Sequence, residues 1–287
     1  MPAVKRSRSA REPRAPASSG AVRHTRVVRI THWINALCLI VLLMSGLGIF
    51  NGWPALYWGL RSHFAHPLLA FYAAQGISGQ PVGMTWLFGH QFVTTGWFGL
   101  SQGVAGQPVI RGFPAWATLP AALDLARARH WYFFFAWIFV LNGVVYVVYS
   151  VASCHFRRDL LPSRGELGRL GASVIDHLRL RFSDGAAGER YNVLQKLSYV
   201  VVAFGLGPLA LLTGLAMSPW IAAGYPWLVT LLGGRQSART VHFVVAFLFL
   251  AFLLVHVVMV LASGPVNRTR SMITGRYRKA DDEEKAA

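Results

Sequence analysis

The chain has 287 residues, 54% of them apolar, and only 14% of them are charged although the formal net charge is +17. A soluble domain carries about 25% charged residues, so a water-soluble globule is excluded. The apolar and aromatic content excludes bulk disorder, and two cysteines exclude a disulfide scaffold.

The first 29 residues hold Lys5, Arg6, Arg8, Arg11 and Arg14 among Pro and Ser. Residues 1–22 read as a disordered basic tail attracted to anionic membrane lipid. Four charge-free stretches of about 20 residues follow, each long enough to cross a hydrocarbon core as a helix. They run over 30–50, 131–153, 197–217 and 241–263. The first is too long for a signal-peptide apolar region and is not followed by a small-residue cleavage site. The fold class expected is an all-α integral membrane protein, a four-transmembrane-helix bundle over residues 23–276 with a charged tail at 277–287.

The basic residues sort by side. The N-terminal tail, the connection 154–196 and the C-terminal tail hold 22 Lys and Arg, against 6 in 51–129 and 218–240. The positive-inside rule puts both termini in the cytoplasm and 51–129 outside. The chain is therefore expected to be a multi-pass membrane protein, and its charge needs no nucleic-acid partner. The outer connection 51–129 has five charges in 79 residues and carries Trp53, Trp58, Trp86, Trp97 and Trp116. It is expected against the membrane surface or another protein, with a short helix over 119–130 leading into the second span. Cys38 and Cys154 read as packing residues.

Among the ten histidines, four lie within or at the mouth of a span: His32, His130, His242 and His256. An ionisable side chain in an apolar run needs a partner and marks a functional site. His242 and His256 are 14 residues apart, roughly 21 Å along one helix and within about 40° of the same face. By depth, His130 matches His242 in the outer leaflet and His32 matches His256 in the inner one. Two opposed imidazoles in an apolar slot suit six-coordinate haem iron. With no Cys-x-x-Cys-His the attachment is non-covalent, so the expected cofactors are two haem b. Arg29, Arg129 and Arg239 stand near these histidines and are expected to anchor haem propionates; Gly46 and Gly143 offer bare helix surface for a ring.

Arg29-x-x-His32-Trp33 leading to Ser45-Gly46, Arg129-His130-Trp131 with Asn142-Gly143, Tyr191-Asn192-x-x-Gln195-Lys196, and Ala238-Arg239-x-x-His242 with His256 together resemble the bacterial cytochrome b561 and hydrogenase b-type cytochrome superfamily. The branch most resembled is that of thiosulfate reductase cytochrome b subunits, and the likeness spans about residues 23–276. It implies a di-haem subunit that exchanges electrons between membrane quinone and a periplasmic redox partner, a molybdopterin oxidoreductase for this branch. The long connection 51–129 departs from many four-span relatives. Tyr191, Asn192, Gln195 and Lys196 cluster at the inner mouth of the third span, where their donors and acceptors suit a quinone headgroup. Two other readings compete: a self-sufficient quinone-linked haem oxidoreductase with a small outer donor, and an intramembrane metal or proton transporter. The second is disfavoured because the spans hold no carboxylate. The sequence leaves homo-oligomerisation and the direction of electron flow open.

Overall fold

The structure is a computed structural model describing residues 25–154, 156, 161–168, 170–178 and 193–275. Among the described residues, four helices are long and apolar enough to cross a membrane. The first, α1, covers Arg26–Phe50 and starts at Thr25, whose side chain accepts from the Val28 amide. The second, α2, covers Leu125–Ala152, capped by Asp124 through the Arg127 amide. A short helix α3, Leu170–Leu178, precedes the third span α4, Val193–Met217. The fourth span α5 covers Arg235–Ala262 and is followed by α6, Pro265–Thr274. The first, second and fourth helices begin before the charge-free windows, because arginines extend their first turns. No separate helix forms over 119–130; α2 runs unbroken from Leu125.

The spans form two antiparallel pairs, α1 along α2 and α4 along α5. Small and polar residues mark the contact faces. Ser45, Ser150 and Thr213 are fully buried, which is how membrane helices approach closely. Asn142 on α2 donates to the Thr31 carbonyl and to Asn35 Oδ1 on α1, at 2.9 and 2.8 Å. Within α4 a π-helical stretch over Val201–Leu206 interrupts the α-helix just before Gly207-Pro208.

The all-α expectation holds for the bundle, whereas the connection 51–124 adds β-structure that the sequence pattern did not announce. Strands β1 (Ala55–Leu56), β2 (Leu69–Gln75), β3 (Pro81–Leu87) and β4 (His90–Val93) form an antiparallel sheet in sequence order. A hairpin of β5 (Gly99–Gln102) and β6 (Pro108–Arg111) packs across it. A Cβ at Gly99 would stand 2.2 Å from the Tyr72 carbonyl oxygen and φ there is +80°, so only glycine allows the crossing. Phe50, Leu56, Phe71 and Phe113 form the core of this cap, with Phe243 of α5 packed on it. Asn51, at the end of α1, exchanges two hydrogen bonds with the Phe113 backbone. Arg111 is buried, and its guanidinium donates to the Phe113 and Ala121 carbonyls and to Thr118 Oγ1. Burial lowers its pKa.

The cap is latched to the fourth span. Gly59 donates to Ser237 Oγ at 2.8 Å, its carbonyl accepts from the Gln236 amide at 3.0 Å, and Thr240 donates to the Tyr57 carbonyl at 2.7 Å. Of the five tryptophans in the connection, Trp86 donates to the Pro67 carbonyl, while Trp53, Trp58, Trp97 and Trp116 are exposed.

Candidate functional site

At the end of the bundle remote from the cap, His32 of α1 faces His256 of α5. Their ring centroids are 6.2 Å apart with planes inclined at 55°. Two metal–nitrogen bonds of about 2 Å each, with rings of roughly 1 Å radius on either side, need centroids about 6 Å apart. His256 is stacked on Phe252, and His32 meets Trp33 edge-on. His32 Nδ1 is buried without a hydrogen-bond partner among the described residues, and so is Arg29 Nε one turn earlier. Unsatisfied buried nitrogens are costly. A ring nitrogen in this place could give its lone pair to a metal, and a guanidinium could donate to an anionic propionate. Gly143 lies beside Asn142 and hence at the depth of Thr31 and Asn35; a Cβ there would meet nothing within 4 Å. The residues at this end therefore fit a haem held by His32 and His256.

α6 closes the same end. Its carbonyls at Ile273 and Met272 accept from the Arg29 guanidinium and from Trp33 Nε1.

The half of the bundle near the cap differs from expectation. His130 does not face His242. It is exposed, and with Trp131 and Phe134 it lines a surface hollow outside the bundle. The reason is helical phase. Ala128, Asn142 and Ser150 are the buried positions of α2, and they lie within about 40° of one direction at 100° per residue, whereas position 130 lies about 200° away. Tyr132 falls on the inward face instead. Its hydroxyl is 2.7 Å from His242 Nε2, while His242 Nδ1 is 2.9 Å from Thr213 Oγ1. Thr213 donates to the Leu209 carbonyl. Both ring nitrogens of His242 are thus engaged. A Cβ at Gly46 would stand 3.3 Å from the Tyr132 ring, so Gly46 makes room for that ring. The sequence reading missed Tyr132. Asn142 and Ser150, the polar residues inside the second span, mark its inward face and were the available signal.

Two of the three expected propionate anchors are placed elsewhere. Arg129 is exposed and lies over the Phe133 ring at 5.8 Å. Arg239 donates to the Trp53 carbonyl and lies over the Phe50 ring at 5.4 Å, which assigns it to the cap. Of the expected quinone residues, Tyr191 and Asn192 lie outside the described residues. Gln195 and Lys196 are on the first turn of α4, and Lys196 Nζ is 2.8 Å from Glu166 Oε1. That bond from Lys196, helped by the Ser163 amide, lowers the Glu166 carboxyl to about 2. Cys38 is buried as expected, but Cys154 is exposed.

The family model of prokaryotic cytochrome b561 matches residues 23–275. Among curated proteins, the chain is similar to a putative protein-methionine-sulfoxide reductase subunit YedZ1 of Azospira oryzae. The two are 24% identical over 237 residues, which cover 83% of this chain and 89% of that protein. No solved structure matches significantly. The match over nearly the whole chain, on four apolar spans that bring His32 to His256, shows that the chain belongs to the prokaryotic cytochrome b561 family, haem b proteins that carry electrons in the bacterial inner membrane.

Proposed function

We propose that the chain is the membrane subunit of an oxidoreductase complex, exchanging electrons between quinone and a redox partner that docks on the cap side. The observation that carries this reading is the His32–His256 pair, with His32 Nδ1 and the nearby Arg29 Nε buried and without a partner among the described residues. Haem b held there by His32 and His256 would supply a one-electron carrier, suited to passing electrons rather than to activating a ligand. His32 and His256 would hold it between α1 and α5, Arg29 would neutralise a propionate, and α6 closes that end through its bonds from Arg29 and Trp33. The distribution of Lys and Arg supports an orientation with both termini in the cytoplasm.

A quinone headgroup is assigned beside the first turn of α4, near Gln195 and Lys196, which lie on the basic side of the membrane. The partner is assigned to the class of periplasmic molybdopterin oxidoreductases. Two facts support that choice: the resemblance to the thiosulfate reductase branch, and the name of the Azospira relative, which makes it a subunit of a protein-methionine-sulfoxide reductase. The folded cap, with four exposed tryptophans, supports docking of a protein over use of a small outer donor.

Purification of the full chain with its neighbours in mild detergent tests the reading. Low-spin b-type absorption together with a co-purifying soluble redox protein supports it. A preparation without haem absorption overturns it.

A further inference from the structure

The chemistry at His242 does not fit a second haem. An axial imidazole needs one ring nitrogen free for iron and a facing ligand roughly 4 Å away, since each metal–nitrogen bond is about 2 Å. Here the facing group is 2.7 Å away and is bonded to that nitrogen. The donors and acceptors form one consistent chain: Tyr132 O–H donates to Nε2, Nδ1–H donates to Thr213 Oγ1, and Thr213 donates to the Leu209 carbonyl. The protonation of His242 follows from this network. Tyr132, His242 and Thr213 each have a side-chain partner, in contrast to the two nitrogens at the His32 end that have none among the described residues. The Tyr132 ring fills the space at Gly46, and a Cβ at Gly214 would stand 3.6 Å from the His242 ring, so little room is left on the α4 side. His130, the remaining imidazole at that depth, is on the opposite face of α2.

We propose that this chain carries one haem b, between His32 and His256, and that the cap-side half of the bundle is closed by a hydrogen-bonded lock of Tyr132, His242 and Thr213. The lock joins α2, α4 and α5 where a haem would otherwise hold them. A redox partner on the cap side would then exchange electrons with the single haem through protein. The inference rests on the haem b reading above and concerns its number and place.

The test is the haem-to-chain ratio of the purified full chain, from pyridine haemochrome absorbance and amino-acid analysis. The expected ratio is one, with a single step in a redox titration. A ratio of two overturns the inference and leaves the haem reading standing. A ratio of zero overturns both. His242→Ala should keep the ratio and the Soret band of the parent while lowering the thermal midpoint of the chain, because the lock is lost; halving of the haem content would overturn the inference. Tyr132→Phe should likewise leave the Soret band in place, and a shifted band would make Tyr132 an iron ligand and overturn it.

Discussion

His32 and His256 come from the first and last spans, separated by more than two hundred residues of chain, and their rings stand 6.2 Å apart. Neither helix places its imidazole without the other, so the pair tests the bundle and the site together. His32→Ala or His256→Ala should each abolish haem binding, read as loss of the Soret band. His130→Ala should leave haem content unchanged, because its side chain points out of the bundle.

Arg29 should set the potential of the bound haem. Reduction adds negative charge, and a guanidinium beside a propionate stabilises it. Arg29→Gln is expected to lower the midpoint by on the order of tens of millivolts, since 59 mV corresponds to a tenfold change for one electron. Spectroelectrochemical titration measures this. Arg239→Gln should leave the midpoint unchanged, as Arg239 serves the Trp53 carbonyl.

The bond from Asn142 to Asn35 fixes α2 on α1. Interhelical hydrogen bonds in membranes contribute roughly 0.6 kcal/mol on average and up to about 1.7. Asn142→Ala should destabilise within that range. The double variant with Asn35→Ala should cost less than the sum of the single changes, as measured by denaturation in detergent.

Gly234 approaches Gly59 so closely that an added Cβ would stand 2.4 Å from the Gly59 carbonyl oxygen, at φ +113°. Gly234→Ala should therefore strain the backbone by about 1–3 kcal/mol and lift the cap from α5. Faster proteolysis within 51–124 is the expected readout.

The Glu166 carboxyl lies far below its ordinary range, at about 2, chiefly through the hydrogen bond from Lys196. A depressed carboxylate contributes stability above its unfolded pKa, which is lost as pH falls toward the folded one. The tie between the 163–166 turn and α4 should be constant from pH 5 to 8 and weaken between about pH 4.5 and 2. Partial exposure keeps the effect small. Hydrogen exchange at 193–196 reports it, and Glu166→Gln should reproduce the acid behaviour at neutral pH.

The spans were legible because they depend on runs of apolar residues, and the approach of His32 to His256 followed from spacing along one helix. The outer pair was misread because depth and direction are separate variables. His130 has the right depth, but the phase fixed by Ala128, Asn142 and Ser150 turns it outward and brings Tyr132 in. Arg129 and Arg239 were misplaced for a related reason: proximity in sequence to a histidine says nothing about which layer recruits the guanidinium. The cap was hidden because its strands are short. β2, Leu-Ala-Phe-Tyr-Ala-Ala-Gln, barely alternates, and its register depends on a crossing at Gly99 that no local pattern announces.

The latch between Gly59 and the first turns of α5 bears on the order of biogenesis. Ribosomes deliver the 51–124 segment long before residues 234–240 exist, yet Ser237, Gln236 and Thr240 supply the hydrogen bonds that tie the cap at Tyr57 and Gly59. A nascent chain thus exports a half-closed β-layer that waits for the last helix to enter the bilayer. Chains stalled before that point would lack these bonds and leave the edge at Tyr57 and Gly59 open to proteolysis, so the cap is completed only when the final span is in place.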